Sequence, residues 1–286
     1  MTTDPMILAK MDVAIRAALE EDMPFGDVST MAVMPEPRPG CVQLICKQDG
    51  VVAGLSVFER TFQLIDPAAR VERLVEDGAA VTCGQHLATV HADVRALLEA
   101  ERVALNYLQR MSGIATYTAR IARVLEGTGT RLVCTRKTTP GMRVLDKMAV
   151  KIGGGENHRM GLFDMILLKD NHIDFAGGIR KAIHGAREYL RAKGKDIPIE
   201  CEVRSLEDID EVFAAGGVDR IMFDNFTPAM TREAVQKVAG RCETESSGGI
   251  TLSTMRDYAE CGVDFISVGA LTHQIKSLDM SLKACE

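Results

Sequence analysis

The segment from residue 198 to residue 269 reads PIECEVRSLEDIDEVFAAGGVDRIMFDNFTPAMTREAVQKVAGRCETESSGGITLSTMRDYAECGVDFISVG. We interpret four short stretches of it as strands: PIECEV (198–203), DRIMFD (219–224), CETESS (242–247) and DFISVG (264–269). The residues between them carry apolar side chains at helical spacing. Strands that alternate with helices in this way predict a parallel sheet with crossover helices.

Two similar stretches precede this segment, RLVCTR (131–136) and DMILLK (164–169). The predicted helices lie around 142–152, 177–192, 205–215, 228–239 and 251–261. Six successive strand-then-helix steps build either a doubly wound open sheet or a closed βα barrel.

Polar residues at the ends of the predicted strands distinguish the two folds. They are Arg136-Lys137, Lys169 to Asn171, Glu202, Asp224-Asn225, Glu245 to Ser247, and Ser267 with Gly269. In a barrel all carboxyl ends meet at one mouth, whereas in an open sheet only those at the switch point do. Polar residues at all six ends therefore favour the barrel.

The first ~110 residues have a different pattern. We expect a helix from Met6 to Glu21, a strand over CVQLICK (41–47) and a helical stretch over 94–125 that is interrupted near Gly113. Glycines punctuate the strands between these helices. This part of the chain predicts a small α+β module.

Composition excludes several functional classes. Lys plus Arg number 34 and Asp plus Glu number 40 in 286 residues, so the formal charge of −6 disfavours partnership with nucleic acid or an anionic membrane. No apolar run reaches the ~20 residues of a membrane span, and the opening MTTDPMILAKMD is too polar for a signal peptide. We expect a cytoplasmic protein whose eight cysteines, with no C-x-x-C, are reduced and structural.

Cationic side chains cluster at or near the strand ends. They are Arg136, Lys137, His158, Arg159 and Lys169. Guanidinium and ammonium groups that converge on a pocket suit a substrate with several carboxylates or phosphates. By contrast, Arg143, Lys147 and Lys151 lie on a predicted helix, and we interpret them as a solvated face.

Glycine-rich turns follow the last two predicted strands, in SSGGI (246–250) and SVGA (267–270). Backbone N–H groups at such turns cradle a phosphate, and the last two strands carry the usual barrel phosphate site. The acids Glu202 and Asp224 could bind sugar hydroxyls, hold Mg²⁺ through water or stabilise a developing cation. Ion pairing with nearby Lys and Arg is compatible with each of these roles.

Several catalytic signatures are absent from the sequence. It contains no G-x-x-x-x-G-K-[ST], no G-x-G-x-x-G, no G-x-S-x-G and no H-E-x-x-H. These absences argue against a P-loop enzyme, a dinucleotide-binding domain, a serine hydrolase and a zinc hydrolase.

The motifs resemble those of one family. They are GDVST (26–30), GVVAG (50–54), ERVALN (101–106), SGIAT (112–116), TRKTTPGMR (135–143), GGGENHR (153–159), LLKDNHI (167–173), CEV (201–203), MFDNF (222–226), ESSGGI (245–250) and ISVGALTH (266–273). In this order the chain is similar to the quinolinate phosphoribosyltransferases, the decarboxylating nicotinate-nucleotide pyrophosphorylases.

The resemblance implies a type II phosphoribosyltransferase fold, with an N-terminal α/β sandwich over residues 1–114 and an incomplete α/β barrel over 115–286, whose C-terminal tail could pack back on the N-terminal domain. It implies a homodimer in which Arg102 enters the neighbour's site. It also implies that quinolinate and phosphoribosyl pyrophosphate, with Mg²⁺ on the pyrophosphate, give nicotinate mononucleotide, pyrophosphate and CO₂.

Residue roles follow from the same resemblance. Quinolinate would be bound by Arg102, Arg136, His158, Arg159 and Lys169. The 5-phosphate would be bound by Ser247, Gly248, Gly249, Ser267 and Gly269. Lys137 would reach the pyrophosphate or lie between the two substrates. Glu202 and Asp224 would hold the ribose and stabilise its cationic centre, so these three are the expected catalytic residues. No residue is expected to hold a metal ion directly.

Three alternatives remain open. A phosphoribosyltransferase of the same scaffold, such as the relatives associated with molybdenum transport, would use another acceptor. A barrel aldolase or isomerase would use a lysine such as Lys169 as a Schiff base. A non-catalytic anion sensor would not need Glu202 and Asp224 beside its phosphate cradle.

Overall fold

The computed structural model describes residues 5–285, which form two compact units. The first unit takes the chain up to Ala119, then Thr138–Gly154 and the residues from Ala270 onward, and the second takes the rest. The first unit thus draws two segments from the part of the chain that the resemblance assigns to the barrel domain. The division after residue 114 stays a prediction about the domains.

An antiparallel sheet lies at the centre of the first unit. The strands of this unit are β1 (Pro39–Cys46), β2 (Gly50–Val51), β3 (Arg70–Arg73), β4 (Ala80–Val81), β5 (His86–Asp93) and β12 (Met280–Ala284). Four of them form one sheet in the order β12-β1-β5-β3, and β2 pairs with β4. The inward side chains, among them Leu44, Phe58 and Phe62, form a core from which water is excluded.

The first unit also contains helices. They are α1 (Pro5–Asp22), α2 (Val28–Val33), α3 (Leu55–Ile65), α4 (Val94–Leu125), α5 (Arg143–Ile152) and α11 (Ala270–His273), with α4 continuing beyond Ala119. Asp27 of the GDVST motif starts α2, because its carboxylate accepts the N–H groups of Ser29 and Thr30.

The expected interruption near Gly113 is wrong, since α4 runs through it. A Cβ at Gly113 would collide with the backbone of Lys276. The glycine therefore permits a close approach of two backbones rather than a break in the helix.

The expectation of a solvated face on α5 is wrong for Lys147, which is fully buried. The adjacent Asp146 is buried as well and accepts hydrogen bonds from Arg110 Nε at 3.0 Å and Arg110 Nη2 at 3.1 Å. The reason is that α5 packs within the first unit, so this helix has no free face at Lys147.

A disulfide joins Cys41 to Cys285, so the expectation of reduced cysteines is wrong for this pair. The pairing follows from the sheet, because β1 and β12 are antiparallel neighbours and their ends bring the two Cα atoms to 5.4 Å. The other six cysteines, all among the described residues, form no disulfide. Sequence spacing could not reveal the bond, since 244 residues separate the partners.

Six parallel strands form the second unit, as predicted. They are β6 (Arg131–Val133), β7 (Ile166–Leu168), β8 (Ile199–Val203), β9 (Arg220–Asp224), β10 (Glu243–Ser247) and β11 (Phe265–Ser267). Their order is β6-β11-β10-β9-β8-β7. From β7 to β11 each strand pairs with the next, and β6 pairs with β11. This order is that of a ring opened between β6 and β7, which confirms the incomplete barrel over the doubly wound sheet.

Helices connect these strands. They are α6 (Asp170–Ala176), α7 (Ile179–Lys193), α8 (Leu206–Ala215), α9 (Pro228–Val238) and α10 (Met255–Ala259). Local signals start two of them: Ser205 and Asp208 form a capping box on α8, and Thr227 caps α9 just before Pro228. The helix α6 was not predicted, and α10 is shorter than expected. No helix within residues 5–285 combines the length and apolar character needed to cross a membrane.

Candidate active site

A cavity of about 260 Å³ opens at the carboxyl ends of the barrel strands. Its lining residues are Thr135, Arg136, Lys137, His158, Arg159, Leu167, Lys169, Met222, Glu245, Ser247 and Ser267. All of them belong to the second unit. In βα barrels this end of the strands carries the chemistry.

Two arginines, Arg136 and Arg159, lie next to each other in the cavity. Arg136 follows β6, and its Nε is buried without a hydrogen-bond partner among the described residues. Burial and the nearby Arg136 guanidinium lower the pKa of Arg159. A buried donor without a partner and two guanidinium groups that repel each other are costly, and an anionic ligand would relieve both costs.

His158 lies deeper in the cavity, next to two buried acids. Its Nε2 is 2.9 Å from Glu200 Oε2 and 3.3 Å from Glu245 Oε2. Burial lowers the pKa of His158, but hydrogen bonds to Glu200 and Glu245 outweigh it and raise the pKa to about 9. The Nδ1 atom lies 2.8 Å from the backbone N of Arg159, and it can accept this N–H only while the ring is neutral.

The two acids differ in their surroundings. Burial and the charge of Glu245 raise the pKa of Glu200. Burial would also raise the pKa of Glu245, but His158, Ser267 and Arg220 together lower it. Arg220 Nη1 donates to Glu245 Oε2 at 3.1 Å, so Glu245 is the acid that stays ionised more readily.

Lys169 pairs with Glu202 at the cavity wall. Lys169 Nζ is 3.0 Å from Glu202 Oε2, and Glu202 Oε1 accepts the N–H of Asp170 at 3.2 Å. Glu202 is buried, whereas the Lys169 side chain is about half exposed. An ammonium group held by a carboxylate suits anion binding and disfavours Schiff-base formation, which needs the neutral amine.

Backbone conformation shapes the turn after β10. Gly248 has φ +91°, and a Cβ there would collide with the side chain of Asn225. Asn225 itself has φ +57°, and its N–H donates to the Ser247 carbonyl at 2.9 Å. Asp224 is opposite Ser247 in the strand register, and its Oδ2 accepts a hydrogen bond from Asn225 Nδ2. This tight turn puts a carboxylate next to a glycine-rich loop, which suits a phosphorylated sugar.

Seven of the predicted site residues line the cavity: Arg136, Lys137, His158, Arg159, Lys169, Ser247 and Ser267. Glu202 contacts Lys169 of the cavity wall, Asp224 ends β9, and Gly248, Gly249 and Gly269 follow β10 and β11. Arg102 lies on α4 in the first unit with an exposed side chain. Its predicted role in a neighbouring subunit stays a prediction, as do the individual roles of the other residues.

The roles of Glu200 and Glu245 as buried partners of His158 were not predicted, although Glu245 was among the polar residues expected at strand ends. Glu200 lies inside β8, Glu245 lies inside β10, and Arg220, which pairs with Glu245, starts β9. A signal was present, since PIECEV puts two glutamates two residues apart in a strand that is buried throughout. Successive even positions in a strand face the same side, so Glu200 and Glu202 both point to the interior.

The described residues contain one group of three side chains with metal-ligand spacing, His158, Glu200 and Glu245. Arg220 already binds one of its carboxylates, and a guanidinium group next to a divalent cation is unfavourable. This cluster is therefore better described as a network of ion pairs.

Comparison with known protein families gives a match over most of the chain. The profile of the quinolinate phosphoribosyl transferase N-terminal domain matches residues 27–112, and that of the C-terminal domain matches residues 114–283.

Similar proteins are known from plants and bacteria. The chain is 43% identical to an Arabidopsis thaliana protein named nicotinate-nucleotide pyrophosphorylase [carboxylating], chloroplastic, over 96% of this chain and 82% of that protein. It is 41% identical to a Bacillus subtilis protein named probable nicotinate-nucleotide pyrophosphorylase [carboxylating], over 92% and 89% of the two chains. A crystal structure of NadC from Streptococcus pyogenes has a TM-score of 0.92 at 40% identity and covers 100% of both chains.

Proposed function

The chain belongs to the quinolinate phosphoribosyltransferase family, and from this premise we propose that it makes nicotinate mononucleotide in de novo NAD biosynthesis. It transfers the phosphoribosyl group of phosphoribosyl pyrophosphate to quinolinate, with release of pyrophosphate and CO₂. The related enzyme with another acceptor is not favoured, because the relatives at about 40% identity carry the nicotinate-nucleotide name.

The observation that carries the proposal is the pair Arg136 and Arg159. Arg136 has a buried Nε without a hydrogen-bond partner, and the neighbouring Arg159 has a lowered pKa. Two such guanidinium groups fit two adjacent carboxylates of one planar ligand. Quinolinate is such a dianion. Nicotinate, with one carboxylate, would leave part of this positive charge buried and unpaired.

The donor fits the opposite part of the cavity. Ser247, Gly248 and Gly249 in one turn, with Ser267 and Gly269 in the next, bind the 5-phosphate. Glu202 and Asp224 bind the ribose hydroxyls, and Lys137 reaches the pyrophosphate. These assignments rest on the position of each residue at a strand end or in a turn of the cavity.

Two steps complete the reaction. The bond from the anomeric carbon to pyrophosphate breaks with its electron pair, and the ring nitrogen of quinolinate donates a pair to that carbon. Glu202 and Asp224 stabilise the positive charge that develops on the sugar. The adjacent carboxylate then leaves as CO₂, and its electron pair stays on the ring carbon next to the cationic nitrogen until a proton is added.

Mg²⁺ enters with the pyrophosphate of the donor. Hard carboxylate oxygens and water suit this ion, and Asp224 is half-buried with one hydrogen bond to Oδ2. Asp224 is the residue that would contact the hydrated ion. When bound, the ion neutralises charge on the leaving group.

The experiment is a direct comparison of acceptors. The protein is incubated with phosphoribosyl pyrophosphate, Mg²⁺ and either quinolinate or nicotinate, and mononucleotide and CO₂ are measured. We expect turnover with quinolinate and none with nicotinate. Equal rates with the two acids would overturn the assignment.

The active form is a cytoplasmic homodimer with shared sites, in which Arg102 of one subunit serves the cavity of the other. This part of the proposal rests on the resemblance and on the exposure of Arg102. Mixing Arg102→Ala subunits with Lys169→Ala subunits should restore activity, because one hybrid site contains both native residues. No recovery from a mixture shown to exchange subunits would refute the shared site.

A further inference from the structure

Asn225 lies in the two-residue connection between β9 and the cap of α9, in the second unit. Its φ is +57°, and among the described residues Ala239 is the only other non-glycine residue with a positive φ. Asparagine tolerates this region better than most side chains do, but residues held there are uncommon and often lie at active sites. The surrounding contacts must therefore fix this conformation.

The neighbours of Asn225 leave it little choice of conformation. Asp224 is the last residue of β9 and is paired with β10. Phe226 is buried, its ring stacks on that of Phe223 with 5.3 Å between the centroids, and its carbonyl accepts the Tyr258 hydroxyl at 2.8 Å. The change in chain direction between these two fixed residues falls on Asn225. Glycine would adopt this φ without strain, so the asparagine side chain indicates a further role.

The side chain of Asn225 makes a contact at each end of its amide. Nδ2 donates to Asp224 Oδ2 at 2.9 Å, and among residues 5–285 it is the one hydrogen-bond donor to this carboxylate. Oδ1 lies against Gly248, where a Cβ atom would collide with it. The backbone N–H of Asn225 donates to the Ser247 carbonyl at 2.9 Å. One residue thus connects the carboxylate that ends β9 to the glycine-rich turn after β10.

We propose that Asn225 is a positioning residue, whose amide fixes the Asp224 carboxylate relative to the turn of Gly248 and Gly249. Its own side chain is exposed and lies outside the described lining of the cavity, so it acts through its neighbours rather than on the substrates. The proposal rests on the proposed function, in which this turn binds the 5-phosphate and Asp224 stabilises the charge that develops on the same sugar.

The position of the carboxylate matters because it and the phosphate turn act on one ribose 5-phosphate. When backbone N–H groups hold the 5-phosphate, the sugar itself determines where the anomeric carbon lies. The carboxylate stabilises the developing charge only if it lies close to that carbon, since the interaction weakens with distance. A carboxylate that is free to rotate spends part of its time elsewhere, and this lowers kcat more than it weakens substrate binding.

The test replaces Asn225 in two ways that both tolerate a positive φ. Asn225→Gly removes the amide without adding charge, whereas Asn225→Asp keeps the shape against Gly248 but replaces the Nδ2 donor by an oxygen. Ala239→Gly is the matched control, since it also puts glycine at a positive φ but lies at the end of α9, before the amino end of β10. Steady-state rates are measured with both substrates varied. The wild-type enzyme in the same assay tests the proposed function separately.

We expect both variants of Asn225 to lower kcat about 10- to 100-fold, a range typical of a misplaced catalytic group. The KM for quinolinate and the melting temperature should stay near the wild-type values, and Ala239→Gly should match the wild type. In an Asp224→Asn background, Asn225→Gly should lower kcat by less than about 3-fold, because the group that it positions has already lost its charge.

A wild-type kcat in either variant of Asn225 would overturn the proposal, and so would a full additional loss in the Asp224→Asn background. A lower melting temperature together with an equal rise of both KM values would make Asn225 a structural residue only. Far-UV circular dichroism is recorded for each variant, and loss of folding in both would also overturn the proposal, since it would assign Asn225 to stability. Absence of turnover by the wild type would refute the proposed function, and with it this role of Asn225.

Discussion

Replacing Arg136 by methionine tests the assumption that its guanidinium group binds the acceptor. Methionine keeps much of the length and apolar contact of the side chain but removes its charge and donors. Hydrogen bonds to charged groups contribute roughly 1.5–3 kcal/mol each. The structure argues for the lower part of this range, because loss of Arg136 also removes the repulsion that helps to lower the pKa of Arg159. A net loss of about 2 kcal/mol corresponds to about 30-fold.

We expect this change in the KM for quinolinate, with the KM for the donor and the melting temperature nearly unchanged. The assay measures initial rates of mononucleotide formation over a matrix of both substrates. Arg131→Met is the matched control: Arg131 starts β6, the strand that Arg136 follows, but its exposed side chain pairs with Glu156 and Glu243. An unchanged KM for quinolinate, or an equal rise in the KM for the donor, would refute the placement of the acceptor at Arg136.

Three further changes have defined outcomes. Asp224→Asn should lower kcat about 10²-fold, since about 2.7 kcal/mol of charge stabilisation is lost in the transition state. If steady-state rates show a normal kcat and only a higher KM for the donor, Asp224 has a positioning role. Asp146→Ala should lower the free energy of unfolding in urea by about 3 kcal/mol, because Arg110 loses its buried partner, and an unchanged urea midpoint would contradict this. A reductant should lower the free energy of unfolding of the wild type by about 2–4 kcal/mol, measured by urea denaturation, and should leave that of Cys41→Ser unchanged. If the reductant affects neither protein, the disulfide does not form in solution.

The barrel was predictable because its signal is local. Most strands of the second unit contain short apolar runs that end in polar residues, and two of the helices between them, α8 and α9, have side-chain caps. The cavity follows from the same pattern, since parallel strands bring their carboxyl ends together. Five of the seven predicted side chains that line it lie at or just after strand ends for this reason, whereas His158 and Arg159 lie in the segment between α5 and β7.

Features that depend on distant contacts were not predictable. The disulfide needs the pairing of β1 with β12, and the burial of Lys147 needs α5 to pack in the first unit. The two acids next to His158 come from two different strands, and Arg220, which pairs with one of them, comes from a third; no spacing in the sequence connects these residues. A glutamate inside a buried strand indicates that it has a hydrogen-bonding or charged partner, but the sequence does not show which residue that partner is.

The antiparallel sheet has a consequence for how the protein is made. Its strand β1 obtains one neighbour from β5 within 50 residues, but the other, β12, is more than 200 residues further along the chain. At the ribosome's pace of about 5–20 residues per second, one edge of β1 stays without its partner for roughly ten to fifty seconds. An uncovered strand edge is a template for wrong pairing with another chain. A truncation that removes the five residues of β12 should therefore lower the soluble fraction of the newly made protein. The aggregates should form through the antiparallel sheet of the first unit.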